Sequence, residues 1–342
     1  MSHVKTYVLC PSGLVTGGAE ALHQLVDAIN GSGGKAYIVY YNFVSERIIP
    51  RRCPLEYLHY QLRYAESIPD YRNVNVVVPE VSPNLLYTYR NSKRFLWWLS
   101  LDYFDDEMRF DDDVNHLTQS EYARKSLIKC GIEARMLTDY IRMSECSYSI
   151  NKQDLVTFTR AKANKSMDKL ISALQNRFKL VELKGYSRLK ATKLLCRSKV
   201  FLDFGNQPGR DRLPREAALQ NNVVLTTASG AANNGIDVPL EKMYKCLFPN
   251  NFENVREIVE EALTKPERAL FLQKEYRRFV LQSKEQFLSE VKNVFNVDTS
   301  HYSGETVFRQ RFSTLLDSLI RSAGLNSHVE KLRRINWLMI KG

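Results

Sequence analysis

The 342-residue sequence lacks the features that mark several whole classes of protein. It has no run of about 18 apolar residues, so no segment is predicted to span a membrane. The first residues, MSHVKTYVLC, lead directly into a predicted strand, and they lack the apolar segment and small-residue cleavage site of a signal peptide. We therefore expect a cytoplasmic protein, with peripheral contact with the inner face of the cytoplasmic membrane as an open alternative.

Closely spaced cysteines are also missing. The six cysteines are Cys10, Cys53, Cys130, Cys146, Cys196 and Cys246. Thiols scattered in this way predict a reduced, mostly buried set rather than a disulfide framework or a zinc site. The dinucleotide fingerprint G-x-G-x-x-G is absent as well, which argues against an enzyme that uses NAD.

Nucleic-acid-binding motifs are absent although the chain is basic, with a net charge of +11 at pH 7. There is no zinc-finger spacing, no RNA-binding aromatic motif and no long basic run. A phosphorylated substrate or an anionic lipid would equally account for the positive charge. We therefore expect a phosphorylated or lipid partner and not a nucleic acid. A nucleic-acid-binding protein is the alternative that the charge alone would suggest.

The chain does contain a repeated order of strand, loop and helix. Residues 200–204 form an apolar run typical of a buried strand, a polar loop follows at 206–211, and Pro214 fits the first turn of a helix. Residues 223–227 predict the next strand. This order is typical of parallel sheets, and with 44% apolar residues and this length it predicts an α/β protein of two domains.

Three arginines, Arg210, Arg212 and Arg215, cluster beside the start of the helix that contains Pro214. Backbone N–H groups at a helix start already favour an anion. Glu216 follows directly, and its carboxylate can accept hydrogen bonds from vicinal sugar hydroxyls. A capping glutamate beside a solvated basic loop is the alternative interpretation.

The segment PGRDRLPREAA, residues 208–218, resembles the donor half of GT-B glycosyltransferases, and most of all those that assemble bacterial surface polysaccharides such as capsule and lipopolysaccharide. The resemblance implies two Rossmann-like domains that face a cleft, C-terminal helices, and no metal or cofactor, since the nucleotide-sugar is a substrate. It also implies that Glu216 binds the ribose of the donor. Many retaining members carry a second glutamate where this chain has Pro208, so retention or inversion stays open.

The same resemblance extends to three other segments. TGGAE resembles the first loop of GT-B enzymes and places Gly17 and Gly18 at a helix start, where glycine lets the backbone approach a bound group. Arg160 and Lys165, after a strand, resemble the pair that holds the donor diphosphate, with a solvated basic turn as the alternative. WWLSLDY, residues 97–103, resembles a segment of the same polysaccharide glycosyltransferases, and it contains Asp102, which lies just beyond the carboxyl end of a strand.

The implied reaction moves a sugar from a nucleotide-sugar to a hydroxyl of a growing surface glycan. If the reaction inverts, Asp102 is the candidate general base, whereas an aspartate that caps the next turn is the alternative. Because Pro208 replaces a glutamate, a catalytically silent subunit that binds sugar-nucleotide or polysaccharide is the rival function. The acidic run at 105–113 is not taken as a metal site, since GT-B enzymes generally work without one.

Residues 142–152 are polar and lack periodicity, which predicts a linker between two domains. The resemblance then implies that residues 1–145 form the acceptor domain, 153–265 form the donor domain, and 266–342 form helices, of which one at 267–295 crosses back to the first domain.

A strand is also predicted at 134–140. Residues 328–341 predict a basic amphipathic helix that binds an anionic membrane or, alternatively, packs on the protein or in a dimer. The expected partners are a nucleotide-sugar donor and a glycan or lipid-linked acceptor.

Overall fold

The structure is a computed structural model that describes residues 4–50, 52–142, 151–160, 162, 165–246 and 252–302. The chain divides into two compact units, one of residues up to Val76 together with those from Val291 onward, and one from Val77 to Glu290. The domain boundaries expected from the sequence stay a prediction. Most of the expected linker at 142–152 and the predicted amphipathic helix at 328–341 lie outside the described residues.

Two sheets carry the fold. The six strands of the first sheet are β1 (Lys5–Pro11), β2 (Lys35–Tyr41), β3 (Val74–Pro79), β4 (Lys93–Trp98), β5 (Asn115–Thr118) and β6 (Ala134–Met136). They lie in the order β2-β1-β3-β4-β5-β6, and the pairs β1–β2, β4–β5 and β5–β6 run parallel. Strand β3 is buried throughout, as expected for an apolar run covered on both faces.

The second sheet has five strands. They are β7 (Gln153–Thr159), β8 (Lys179–Glu182), β9 (Ser198–Asp203), β10 (Val223–Thr227) and β11 (Lys245–Cys246). Their order is β11-β10-β9-β7-β8, and every neighbouring pair is parallel. The two parallel sheets confirm the α/β class predicted from the strand, loop and helix order.

Helices follow most of the strands. They are α1 (Gly17–Gly31), α2 (Glu121–Lys129), α3 (Lys165–Gln175), α4 (Arg188–Arg197), α5 (Arg212–Leu219), α6 (Phe252–Thr264), α7 (Pro266–Leu272) and α8 (Lys274–Phe295). Side-chain caps fix several of their starts: Thr16 accepts from the N–H of Ala19, and Ser120 accepts from the N–H of Ala123. None of the helices in the described ranges is long and apolar enough to cross a membrane.

Two predicted elements differ from the structure. The strand expected at 134–140 ends at Met136, because the N–H and hydroxyl of Thr138 donate to the Glu290 carboxylate instead of to a neighbouring strand. The helix expected at 267–295 is interrupted at Gln273, whose backbone (φ −94°, ψ 11°) leaves helical geometry. The Gln273 amide group there pairs with both the N–H and the C=O of Val224 in β10.

The two tryptophans of β4 anchor the first sheet. Trp97 and Trp98 are fully buried, and their indole N–H groups donate to the carbonyl oxygen of Leu137 and to Nδ1 of His116. Burial lowers the pKa of His116 to about 4, so its ring is neutral and can accept that hydrogen bond. The loop that follows β4 therefore begins at residues that are held by burial and by hydrogen bonds.

Candidate active site

Three loops that follow parallel strands bring oppositely charged side chains together within the unit from Val77 to Glu290. Asp102 follows β4, Lys162 follows β7 and Asp211 follows β9. Lys162 Nζ lies 3.7 Å from Asp102 Oδ2 and 3.3 Å from Asp211 Oδ1. These side chains are 44%, 38% and 26% exposed, in the order Asp102, Lys162, Asp211, so a ligand can reach them. The carboxyl ends of parallel strands are where α/β sheets bind their ligands.

Main-chain hydrogen bonds join the loop after β4 to the loop after β9. The N–H of Leu101 donates to the carbonyl oxygen of Pro208 at 3.0 Å. The Gln119 amide accepts from the N–H of Arg210 and donates to its carbonyl oxygen. Gly209 lies so close that an added Cβ would be 2.7 Å from the carbonyl oxygen of Leu99, which explains a glycine here.

A buried carboxyl group supports the loop that carries Asp102. The N–H of Asp102 donates to the hydroxyl oxygen of Ser100, and Ser100 donates through its own N–H and hydroxyl to Oε1 of Glu80. Glu80 stands just after β3 and is 4% exposed. Burial raises the pKa of its carboxyl to about 7, against the opposing effect of these hydrogen bonds. The sequence analysis missed Glu80, whose only signal was its place after a buried strand.

Two of the three arginines predicted to attract an anion are engaged inside the protein. Arg215 is 2.9 Å from Oδ1 of Asp139, and Arg210 is 2.8 Å from Oδ1 of Asp237. All four side chains are at most 3% exposed. Their charges are therefore balanced internally, and they hold α5 and the loop after β9 in place. The predicted contact of Arg215 with the donor stays a prediction, and internal pairing makes it the weakest of the set.

Arg212 and Glu216 form the more accessible part of α5. Their side chains are 13% and 17% exposed, and Arg212 Nε lies 3.5 Å from Glu216 Oε1 one helical turn away. Arg188 at the start of α4 approaches the same oxygen at 3.5 Å. Arg212 also approaches Asp139 at 3.3 Å. Glu216 thus stands between two guanidinium groups, which fix the direction of its carboxylate.

Arg160 and Lys165 are placed differently from Lys162. Arg160 lies 3.4 Å from Asp168 and 3.5 Å from Glu182, and it is 39% exposed. Lys165 is the first residue of α3. Lys162, which the sequence analysis did not select, makes the contact with Asp102. The resemblance pointed only to Arg160 and Lys165, and nothing in the spacing of the basic residues distinguished Lys162, which lies between them.

Gly17 and Gly18 open helix α1 in the other unit, as the sequence predicted. Thr16 caps the helix, and its backbone N–H and C=O both bind the hydroxyl of Tyr57 at 3.1 Å. Tyr57 therefore helps to fix the start of α1. Any contact of these glycines with a ligand stays a prediction.

The acidic run after β4 serves the fold. Buried Arg94 pairs with Asp111 at 2.9 Å and also with Asp113. Nowhere in the described ranges do three His, Cys, Asp or Glu side chains meet in a way that could hold a metal ion. That the reaction needs no metal stays a prediction.

Solved structures share this arrangement of sheets. TarM of S. aureus, crystallised in complex with UDP, has 13% identity and a TM-score of 0.50 over 75% of this chain. A glycosyltransferase from Rickettsia africae has 12% identity and a TM-score of 0.56, covering 86% of this chain and 98% of its own. WaaG, a glycosyltransferase involved in lipopolysaccharide biosynthesis, has 10% identity and a TM-score of 0.51, covering 86% and 99%.

The chain has the GT-B fold. The match spans 61% of the length of TarM. No protein-family model and no curated protein matches the sequence. At identities of 10–13% the similarity to these structures establishes the GT-B fold and not the reaction. The chemistry has to be argued from the residues at the strand ends of this GT-B chain.

Proposed function

We propose that this chain is a glycosyltransferase that moves a sugar from a nucleotide-sugar to a hydroxyl of a growing bacterial surface glycan. The observation that carries the proposal is the charged cluster at the ends of β4, β7 and β9, where an exposed carboxylate and an exposed ammonium lie 3.7 Å apart. A general base and a cation for the leaving group are the two parts that such a transfer needs. The shared fold with UDP-bound TarM and with WaaG supports the same assignment.

Apart from Arg215, which is paired inside the protein, each predicted residue has a chemical role in this reaction. The acceptor hydroxyl attacks the anomeric carbon, and the bond from that carbon to the diphosphate oxygen breaks. The electron pair leaves with the diphosphate, whose negative charge Arg160, Lys165 and Arg212 offset. In an inverting reaction Asp102 takes the hydroxyl proton. Glu216 accepts hydrogen bonds from the ribose, while the backbone at Gly17 and Gly18 approaches the bound substrates.

The finer parts of the proposal concern the partners. The acceptor is a glycan or lipid-linked glycan of capsule or lipopolysaccharide type, and the protein works in the cytoplasm or on the inner face of the membrane. WaaG, with the same fold, is described as acting in lipopolysaccharide biosynthesis, which supports this class of acceptor. The net charge of +11 is compatible with anionic lipid as well as with diphosphate.

Donor binding provides the first test. UDP, GDP, CDP and dTDP are titrated into the full chain by calorimetry, and the nucleotide that binds is used with Glu216→Ala and with Glu257→Ala as the matched exposed control on α6. We expect Glu216→Ala to weaken binding by about 1.5–3 kcal/mol, roughly ten- to a hundred-fold, because a charged hydrogen-bond acceptor is lost. Equal affinity of the two variants would refute the ribose contact.

Turnover separates the enzyme from the silent binding subunit. The chain is incubated with labelled nucleotide-sugars and an extracted glycan acceptor, and labelled product is measured. A glycosyltransferase forms product with one donor, whereas a binding subunit binds the nucleotide and forms none. The position of Pro208, where many retaining enzymes have a glutamate, is the feature that motivates this second function.

A further inference from the structure

Lys162 is held in a backbone conformation that lysine rarely adopts. Its φ angle is 64°, in the left-handed region where a side chain other than that of glycine or asparagine is disfavoured. Its carbonyl oxygen accepts a hydrogen bond from the N–H of Asn206 in the loop after β9. Such strain persists where the surrounding structure imposes it, and it is concentrated at functional sites. This backbone carries the ammonium to Asp102 and Asp211.

The neighbouring cation of the same loop contacts other carboxylates than Lys162 does. Arg160 pairs with Asp168 and Glu182 and packs over the ring of Phe158. Lys162 is the cation of the described loop after β7 that reaches the carboxylate predicted to act as the base. Lys162 thus touches the predicted base and lies in the loop whose cations are predicted to hold the diphosphate, so it can link the two.

We propose that Lys162 binds the diphosphate of the donor and that the diphosphate and Asp102 compete for its ammonium group. This inference rests on the proposed function. Occupation of Lys162 by the diphosphate frees the Asp102 carboxylate to accept the proton of the acceptor hydroxyl. The electron pair of the broken carbon–oxygen bond goes to the same diphosphate. Lys162 thereby makes the base available only when the donor is in place.

The relative strength of the two contacts favours the diphosphate. A partly exposed lysine–carboxylate pair at 3.7 Å changes an equilibrium by only about two- to five-fold, because water and salt screen it. A charge-assisted contact with a phosphate oxygen is worth about ten-fold or more. The diphosphate therefore displaces Asp102 from Lys162, and the competition leaves a measurable penalty on diphosphate binding.

A double-mutant cycle tests this competition without any need for turnover. Inorganic pyrophosphate and the cognate nucleoside diphosphate are titrated by calorimetry into the full chain and into Lys162→Met, Asp102→Asn and the double variant, with Lys169→Met as the control for loss of an exposed charge. We expect about ten-fold weaker binding for Lys162→Met and two- to five-fold tighter binding for Asp102→Asn. In the double variant the Asp102 substitution should have no further effect.

Each other outcome overturns the proposal in a distinct way. If Asp102→Asn tightens binding equally with and without Lys162, Asp102 repels the ligand directly and there is no competition. If Lys162→Met binds as tightly as Lys169→Met, Lys162 is not a diphosphate ligand, although the proposed function stands. If the unaltered chain binds neither pyrophosphate nor any nucleoside diphosphate, the proposed function itself fails.

A second substitution separates binding from folding. Lys162→Gly removes the ammonium and also relaxes the left-handed backbone, since glycine adopts this conformation without strain. We expect this variant to unfold at the same temperature as the unaltered chain or higher, and to bind pyrophosphate as weakly as Lys162→Met. Full pyrophosphate affinity in Lys162→Gly would refute the assignment.

Discussion

Replacement of Glu80 by glutamine tests how the loop that carries Asp102 is supported. Oε1 of Glu80 accepts two hydrogen bonds from Ser100, whereas Oε2 is buried without a hydrogen-bond partner among the described residues. Glutamine keeps the acceptor and the shape of the protonated acid and carries no charge at any pH. Glu80→Gln is therefore a fixed copy of the neutral form.

The expected effect follows from the difference between the two pKa values of Glu80. Burial raises the pKa from 4.5 to about 7 in the folded protein, so the folded state binds more protons between these values. The stability that the protonated carboxyl contributes is fully present below pH 4.5 and is lost as the pH rises through about 7. At about 1.4 kcal/mol for each pKa unit, the loss is on the order of 3 kcal/mol.

Urea unfolding followed by tryptophan fluorescence measures this loss, because Trp97 and Trp98 lie in the neighbouring strand β4. From about pH 5 to about pH 8 we expect Glu80→Gln to gain on the order of 3 kcal/mol relative to the unaltered chain. Asp203, whose pKa is also raised to about 7, titrates in both proteins and cancels in the difference. Stability curves that stay parallel over this range would show that Glu80 is ionised when folded and would refute the argument.

Two further substitutions test the joints around the site. Gly209→Ala should destabilise the chain by about 1–3 kcal/mol, because the added Cβ would lie 2.7 Å from the carbonyl oxygen of Leu99. An unchanged midpoint of thermal unfolding would mean that the loops after β4 and β9 can move apart without loss of stability. Asp237→Ala should cost about 3–5 kcal/mol, because it leaves the buried Arg210 charge uncompensated. The double variant Asp237→Ala/Arg210→Met should recover part of that loss in the same thermal assay, and a purely additive loss would refute the pairing.

The sequence was sufficient for most strands of the two sheets, because these strands are local apolar runs. Residues 223–227 were predicted as a strand and form β10 with those limits. The same holds for the helix after the loop at 206–211, where α5 begins at Arg212. Continuous burial on both faces of a parallel sheet leaves this signal in the sequence with no need for tertiary information.

The site was less predictable because its side chains depend on distant partners. Arg215 looked like a ligand for an anion, yet its guanidinium meets Asp139, 76 positions away in the sequence. The break at Gln273 depends in the same way on Val224, which is 49 positions away. A charge pattern does not reveal whether an arginine faces solvent or a buried carboxylate. The left-handed backbone of Lys162 likewise had no signal in the residue type.

The hydrogen bonds that join the loops after β4 and β9, here called the joint, affect which residues of these loops can be substituted. Its hydrogen bonds use the main-chain N–H of Leu101, the main-chain oxygen of Pro208 and the backbone of Arg210. The joint therefore depends on main-chain groups together with Gly209 and Gln119, whereas Ser100 and Arg210 anchor the same two loops through their side chains. A substitution at Leu101 leaves its main-chain N–H in place and therefore keeps the two loops attached, whereas a side chain at Gly209 would push them apart.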